Sequence, residues 1–408
     1  MKRLFLIIVI VAGVAIISAS HYSEKQAKQN ASGLLVPLPE EKKPVPDSPA
    51  AVNPKIQIVF ALDATGSMAG LIGAAKEKIW SIAGSLAQAE PSPDIEMGLL
   101  FYRDKGDEFV TRKIPMSKDF DSVYAELMKV VADGGGDSPE SVNQALFESV
   151  SHFKWDTAGS TYRTVFLVGD CPPHMNYRDD VKYPVSCKNA LNKDIVLNTI
   201  LMGNDAVAKR IWKEIATCSQ GNFSQVNMDA NDFEINTPFD SIIAFISDGL
   251  DDTRVYYGND EERSASEIKK SKSRDISYSA KASVKARRAE YNFTKSGKTT
   301  YYGRKELIED FKNKNITLEN IKAEELPDEM KNLSDAEKKV FIDKKIAKRD
   351  SLQKELTHYS KLRQEYIVKD LKTKGSGKVD SSFSNQIFKS IQKQTEKKKI
   401  RLNGEAKY

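Results

Sequence analysis

The sequence predicts an α/β fold with a doubly wound, mainly parallel β-sheet, one antiparallel edge strand, helices on both faces and a helical C-terminal extension. Two observations support this prediction. Between residues 56 and 248, short apolar runs alternate with segments of helical periodicity. Two of the apolar runs end in an acidic residue, and open parallel sheets bind ligands beyond the carboxyl ends of their strands. A candidate site is therefore expected at that edge of the sheet.

The elements can be assigned in chain order. Parallel strands are predicted at residues 56–62, 96–102, 164–169 and 195–202. Residues 109–114 predict the antiparallel edge strand, and residues 222–226 predict a last short strand. Helical periodicity covers residues 71–89, 122–132, 140–153 and 239–246. The first large domain is therefore expected to span residues 55–250.

The N-terminal residues differ from this domain in composition. A basic start is followed by an apolar run at residues 4–17 and by small residues at 18–20, which is typical of a signal peptide. The apolar run is shorter than the roughly 20 residues that cross a bilayer, which favours cleavage of residues 1–20 over a permanent anchor. Proline-rich residues 21–54 predict a flexible tether. We expect export to the bacterial periplasm or cell envelope, at the inner membrane if residues 1–20 remain attached.

The C-terminal part is richer in Lys and Arg, although the formal net charge of the chain is only +5. Residues 251–305 predict a basic linker, either helical or disordered. Residues 306–408 predict a Lys-rich helical extension, in which Ser334 and Glu337 form a capping-box pattern before a long helix. Its apolar stripe is interrupted by Lys345 and Arg349. The basic residues indicate a solvated helix surface or contact with anionic lipid or cell-wall polymer; nucleic acid is not expected in an exported protein.

The loop after the first strand carries alternating oxygen ligands. Asp63 offers a carboxylate, and Thr65 and Ser67 offer hydroxyl groups. These are the hard ligands that Mg²⁺ or Ca²⁺ prefers. The same residues could instead cap the N-terminus of the following helix.

Two further loops could complete such a site, because one loop cannot surround an octahedral ion. Residues 133–140 place three glycines before Asp137 and Ser138, which could be ligands or could cap the next helix. Asp170 ends a buried strand in the same way as Asp63. The predicted metal ligands are Asp63, Thr65, Ser67, Asp137, Ser138 and Asp170.

These three loops resemble those of the von Willebrand factor type A (VWA) domain and its metal-ion-dependent adhesion site. Residues 63–67 are similar to the family's Asp-x-Ser-x-Ser signature, with Thr65 in place of the first Ser. Asp170 matches the family's acid after the fourth strand. The family's third-loop ligand is usually Thr, and here Asp137, Ser138 or neither takes that place. The resemblance spans residues 55–249 and implies a doubly wound fold that binds Mg²⁺, Ca²⁺ or Mn²⁺.

A narrower resemblance is to exported bacterial proteins that carry this domain. It rests on residues 102–107, 134–146 and 166–174, and on tail residues 325–330 and 333–337. For that group, the resemblance implies exported binding proteins with a basic helical C-terminal extension.

An enzyme is not expected, because the sequence lacks the nucleophile and base patterns of known hydrolases. His174 lies near the predicted site, but we interpret it as a loop residue held by neighbouring prolines. Asp104 and Asp107 are interpreted as solvated turn residues, with a position at the rim of the site as the alternative. A disulfide between Cys171 and Cys187 is one expectation, and reduced thiols are the alternative.

The resemblance implies a protein-binding module whose bound ion accepts a carboxylate from an acidic residue of a protein partner. The alternative is an envelope scaffold or assembly protein that acts through its basic helical tail and has a vestigial metal site. The sequence leaves the partner, the metal and the oligomeric state open.

Overall fold

The strand that carries the first predicted ligand lies near the centre of the main sheet. The computed structural model describes residues 53–136, 138–226, 235–374, 379 and 382–408. In chain order its strands are β1 (Lys55–Asp63), β2 (Ala89–Glu90), β3 (Asp94–Tyr102), β4 (Thr111–Ser117), β5 (Tyr162–Gly169), β6 (Ile195–Met202), β7 (Phe223–Val226) and β8 (Arg401–Leu402). The predicted signal peptide, almost all of the tether and Asp137 lie outside the described residues.

The main sheet confirms the predicted fold class. Its strand order is β4-β3-β1-β5-β6-β7. All neighbours are parallel except β4, which pairs antiparallel with β3 and forms the predicted edge strand. Because β1 pairs with both β3 and β5, Asp63 lies beside Tyr102 and just beyond the pairing of Leu62 with Val168. The carboxyl ends of three strands therefore meet at one edge of the sheet.

Helices cover both faces of this sheet. In chain order, the helices of the described residues are α1 (Ala69–Leu86), α2 (Phe120–Met128), α3 (Val142–Ser151), α4 (Tyr183–Asn192), α5 (Ala206–Cys218), α6 (Asp240–Asp251), α7 (Asp260–Ser279), α8 (Ala282–Asn292), α9 (Lys295–Tyr302), α10 (Leu307–Lys312), α11 (Asp335–Lys374) and α12 (Phe383–Thr395). Alternate residues of β1 enter different cores: Ile58 and Phe60 pack with side chains of α1 and α2, and Val59 and Ala61 pack with α3, α4 and α5.

The residues expected to form a linker are helical and packed. Residues 260–302 form α7, α8 and α9, and α8 packs against both α1 and α6. On α8, Arg288 is 2% exposed and forms ion pairs with Asp121 of α2 and Asp251 of α6. The sequence left helix or disorder open for this segment, and the structure shows helices held by buried contacts.

The C-terminal extension also packs against the rest of the chain. The long predicted helix is α11, and Ser334 and Glu337 form the expected reciprocal hydrogen bonds at its start. Helix α11 packs against α6, and α12 packs against α1. Strand β8 pairs with β2, and residues 53–408 form one compact unit. Within the described ranges, no helix combines the length and the apolar character needed to cross a membrane.

The predicted disulfide is wrong. Cys187 of α4 is bonded to Cys218 at the end of α5, with their Cα atoms 5.8 Å apart. Helices α4 and α5 pack side by side, which brings these cysteines together across 31 residues of sequence. Cys171 is a free, partly buried thiol in the loop after β5.

Candidate metal centre

The first predicted loop brings its three ligands together. Strand β1 ends at Asp63, and a short 3₁₀ turn (Gly66–Met68) connects it to α1. Asp63 Oδ1 accepts hydrogen bonds from the backbone N–H of Thr65 at 2.9 Å and from its Oγ1 at 2.7 Å. Thr65 Oγ1 lies 3.2 Å from Ser67 Oγ. One carboxylate and two hydroxyl groups are therefore clustered at the strand end.

The second carboxylate oxygen of Asp63 is in a different environment from the first. Asp63 is fully buried, and its Oδ2 atom has no hydrogen bond within the described part of the chain. Burial raises the pKa of Asp63 to about 7, against the lowering effect of the hydrogen bonds from Thr65. The charge of nearby Asp170 adds to the increase. A buried acceptor in this state is a favourable position for a cation.

Asp170 lies beside Asp63, as predicted. It follows Gly169 at the end of β5, and its buried Oδ1 atom also lacks a hydrogen-bond partner among the described residues. A Cβ atom at Gly169 would lie 2.9 Å from Asp63 Oδ2 and 2.2 Å from the hydroxyl oxygen of Tyr102. Glycine at this position therefore allows the two strand ends to approach closely.

The third loop is tied to the first by its glycines. The backbone N–H of Gly66 donates to the carbonyl oxygen of Gly134 at 3.1 Å. The carboxylate of Asp107 accepts the N–H of Gly135. Of the two predicted ligands here, Asp137 lies outside the described residues, and Ser138 is exposed, in the neighbourhood of the Cys171 thiol. Burial raises the pKa of that thiol to about 12.

Glu140 is an acid of this site that the sequence prediction missed. It is 2% exposed, and its Oε2 atom has no hydrogen-bond partner in the described structure. A Cβ atom at Gly135 would lie 2.8 Å from Thr65 Cβ and 3.2 Å from Glu140 Oε1, so both side chains border Gly135. Burial, followed by the charges of Asp63, Asp104 and other carboxylates, raises the pKa of Glu140 to about 9.

The missed assignment has a local cause. Helical periodicity placed Glu140 at the start of a helix, but α3 begins at Val142. Instead, Glu140 N–H donates to the carbonyl oxygen of Pro172, and Glu140 O accepts from His174 N–H. These bonds fix Glu140 beside the loop that carries Asp170. The only available signal was an acid directly after the glycine-rich loop.

The interpretation of Asp104 as a solvated turn residue is wrong. Asp104 is 4% exposed, and its carboxylate accepts hydrogen bonds from the hydroxyls of Ser141 and Tyr177, each at 2.7 Å. His174 Nε2 lies 3.1 Å from Asp104 Oδ2. Asp107 is half-buried and binds the backbone of the glycine loop. Asp104 therefore contacts the loop after β5, and Asp107 contacts the glycine loop.

Arg103 joins the same loops through its guanidinium. Its Nε donates to the carbonyl oxygen of Ala64 at 3.1 Å, and its Nη2 donates to that of Val131 at 2.8 Å. The side chain is buried and packs over the ring of Phe109. Arg103 therefore holds the Asp63 loop and the glycine loop at a fixed separation.

The donor set fits a hard divalent cation. It contains carboxylates of Asp63, Glu140 and Asp170 and hydroxyls of Thr65 and Ser67, all of them oxygen ligands. Among the described residues, no group of three or more His, Cys, Asp or Glu side chains is placed so that it could hold a metal ion by itself. A site in which two hydroxyl groups also act as ligands needs fewer carboxylate ligands than a site built from His, Cys, Asp and Glu alone. The unpaired oxygen atoms of the three carboxylates are the observation that favours a cation here.

Comparisons with known proteins give similarity in structure alone. No protein-family model and no curated protein matches the chain. Solved structures similar to it include proximal thread matrix protein 1 from the mussel byssus with a zinc-occupied MIDAS motif (15% identity, TM-score 0.34, 43% of each chain covered). The SpRpn10 VWA domain has 9% identity and a TM-score of 0.34, with 43% of this chain and 89% of that chain covered. The pilus adhesin SpaC from Lactobacillus rhamnosus GG has 12% identity and a TM-score of 0.33, with 44% of this chain and 28% of that chain covered.

One of these solved structures is a VWA domain. The chain spans less than half the length of the mussel protein and of SpaC. At these identities and TM-scores, neither the fold nor the site of this chain is inferred from those structures. The assignment of ligands therefore rests on the residues of this chain.

Proposed function

We propose that this chain is a divalent-metal-dependent, adhesion-type protein-binding module exported to the cell envelope. One observation carries the proposal: Asp63 Oδ2, Glu140 Oε2 and Asp170 Oδ1 are all buried at one edge of the sheet and all lack hydrogen-bond partners in the described structure. Buried acceptors without partners are unfavourable, and a dication beside them would compensate the charges of Asp63 and Asp170. The magnesium ion is proposed from the oxygen-only donor set.

Each side chain has a distinct role in this proposal. Asp63 and Asp170 would hold the ion directly or through water, and Thr65 and Ser67 would offer neutral oxygen atoms. Arg103 and Asp107 would keep the loops in place through their backbone contacts. When bound, the ion would supply an electrophilic centre with an open coordination position that an oxygen ligand of a partner could fill.

Glu140 sets a condition on the partner. If all three carboxylates were ionised, a dication would leave the site with a net negative charge, which would repel an acidic partner. If Glu140 keeps its proton, Asp63 and Asp170 balance the ion and a partner carboxylate becomes acceptable. In the metal-free protein, burial and the surrounding acids raise the pKa of Glu140 to about 9, above that of Asp63 at about 7, so Glu140 is the acid that holds its proton more tightly. We therefore propose an acidic residue of the partner as the ligand while Glu140 is protonated.

Calorimetric titration of Mg²⁺ into the purified protein tests the metal site. We expect saturable binding at one site and its loss in Asp63→Ala. Asp260→Ala is the matched control, because the Asp260 side chain is 93% exposed and belongs to α7. Absence of binding heat in the unmodified protein, or the same heat in Asp63→Ala, would reject the proposed site.

Affinity capture from native envelope tests the partner. Partners bound in Mg²⁺ should be lost both on chelation and in Asp63→Ala, but retained by Asp260→Ala. A partner retained under chelation would show that binding does not use the ion. Substitution of acidic residues in an identified partner would then test the proposed carboxylate ligand.

A further inference from the structure

A second cavity lies away from the candidate metal centre. Its volume is about 540 Å³, within the usual range for small-molecule sites. Helices α1, α8 and α11 and the C-terminal residues form its walls. The cavity therefore exists only because the C-terminal region packs on the domain that carries the sheet.

Arg287 of α8 contributes a buried and incompletely paired guanidinium to this cavity. The residue is 2% exposed, and its Nε and Nη2 atoms lack hydrogen-bond partners among the described residues. Its Nη1 makes long contacts with Glu77, 3.4 Å to the carbonyl oxygen and 3.9 Å to Oε2. Burial, reinforced by the charge of Arg363, lowers the pKa of Arg287. A buried cation with unused donors is stabilised when an anion binds beside it.

Further hydrogen-bond donors belong to the cavity wall. Trp80 Nε1, Ser81 Oγ and Ser360 Oγ are buried and have no partner in the described part of the chain. They come from α1 and α11, on different sides of the cavity. Together with Arg287, they offer N–H and O–H groups that an oxygen-rich ligand could satisfy.

The charge of the lining also favours an anion. Its charged residues are Arg287, Lys298, Lys407 and Glu290. Lys298 is paired with Glu309 at 2.6 Å, so Arg287 and Lys407 are the cations that an anion could use. The one acid, Glu290, already lies 3.1 Å from the guanidinium of Arg363. The acid of the lining is therefore engaged elsewhere, whereas Arg287 retains unused donors.

The rest of the wall is aromatic and aliphatic. Trp80, Tyr291, Phe293 and Leu356 line the cavity. We propose that this cavity binds a small organic anion, whose carboxylate or phosphate head contacts Arg287 and whose apolar body packs against these side chains. The planar guanidinium matches both head groups, since each can accept two parallel hydrogen bonds. The site is separate from the proposed metal centre and does not depend on it.

Calorimetry with matched probes tests the proposal. The probes are 4-phenylbutyrate, phenyl phosphate and the neutral 4-phenylbutan-1-ol, titrated into the purified full chain. We expect saturable binding of at least one anion with one-to-one stoichiometry, and affinity for the alcohol at least about tenfold weaker. Comparison of the two anions shows which head group the site prefers. Asp63→Ala should bind the anion as the unmodified protein does, which separates this site from the metal site.

Two substitutions on one helix provide a test that leaves Arg287 in place. Gly84 of α1 lines the cavity, and an added Cβ there would meet only Lys407 Cγ, at 3.8 Å. Gly84→Leu should therefore be tolerated and should fill the cavity, weakening anion binding at least about tenfold. Gly73→Leu is the control, because a Cβ at Gly73 meets nothing within 4 Å. It should bind the anion with unchanged affinity.

Arg287→Met should remove the preference for the anion over the alcohol in any preparation that folds. Equal affinity for anion and alcohol, undiminished binding by Gly84→Leu, or no saturable heat with either anion would overturn the proposal. The last outcome would indicate a cavity that is filled by water only.

Discussion

At the scale of single residues, Glu140 determines the electrostatics of the candidate metal centre. It is nearly as buried as Asp63, and both acids have an oxygen atom without a hydrogen bond in the described structure. Burial and the neighbouring carboxylates raise the pKa of Glu140 from an ordinary value of 4.5 to about 9. At neutral pH, Glu140 of the metal-free folded protein therefore keeps a proton that it releases in the unfolded chain.

This difference predicts a pH dependence of stability in the presence of a chelator. Between about pH 4.5 and pH 9, Glu140 carries a proton in the folded state but not in the unfolded chain. The free energy of unfolding therefore falls as pH rises through this range. Glu140 should contribute a fall of up to about 3 kcal/mol between pH 7 and pH 9. Urea unfolding of the unmodified protein and of Glu140→Gln measures this contribution, because the amide cannot ionise.

In Glu140→Gln the fall between pH 7 and pH 9 should be smaller by that amount, and metal-free stability at pH 9 should exceed that of the unmodified protein. Glu108→Gln is the control, since the Glu108 side chain is 80% exposed. Parallel pH profiles for the unmodified protein and Glu140→Gln would contradict the assigned environment of Glu140.

The sequence was sufficient to predict the site residues that lie at the ends of strands. Asp63 and Asp170 each end an apolar strand, and parallel strands bring their carboxyl ends to one edge. Glu140 could not be assigned in this way, because its position depends on whether the helix begins at residue 140 or 142. Burial of Asp104 depends on Ser141 and Tyr177, which approach only in the folded structure.

At the scale of elements, α11 shows how a basic helix becomes part of the core. Arg349 interrupts its apolar stripe in the sequence, but in the structure it is fully buried. Its guanidinium binds both oxygens of Glu306, at 2.8 and 2.9 Å, and donates to the Oγ1 and carbonyl oxygen of Thr253. The sequence pattern could predict the helix, whereas the remote partner that makes this arginine a buried residue was not visible from its local spacing.

Replacing Arg349 with methionine should therefore be costly. Glu306, which is 1% exposed, would lose the cation that compensates its charge. We expect the free energy of unfolding to fall by about 3–5 kcal/mol, the usual cost of breaking a buried pair from one side. Chemical denaturation measures the loss.

The neighbouring residue provides the control. Lys348→Met, at an exposed position of α11, should change the free energy of unfolding by less than about 0.5 kcal/mol. Adding Glu306→Gln to Arg349→Met should recover part of the lost stability, because the uncompensated charge is then absent. An Arg349→Met protein as stable as Lys348→Met would show that this pair contributes little.

At the scale of the whole molecule, the C-terminal helices complete the core of the sheet domain. Ile56 and Phe60 of β1 share one apolar cluster with Ile387 and Ile391 of α12 and with Tyr408. Polar contacts also join the sheet to the C-terminal helices, such as the hydrogen bond from the Tyr162 hydroxyl to Gln394 Oε1. Deleting the residues after Asp252 would therefore test folding before it tested any scaffold function of the tail.

A fragment of residues 53–252 should consequently fail to unfold as a cooperative unit. Asp121, which is buried against Ser273 and Arg288 in the intact chain, would lose both partners in this fragment, and the net stability of a whole domain is typically only about 5–15 kcal/mol. The apolar surface covered by α8 and α12 would become exposed as well. Thermal and urea unfolding followed by circular dichroism should give a broad transition for this fragment and a sharp one for residues 53–408. If the shorter fragment unfolded in a sharp transition with the same midpoint as residues 53–408, then residues 53–252 would fold independently and the C-terminal helices would not contribute to their stability.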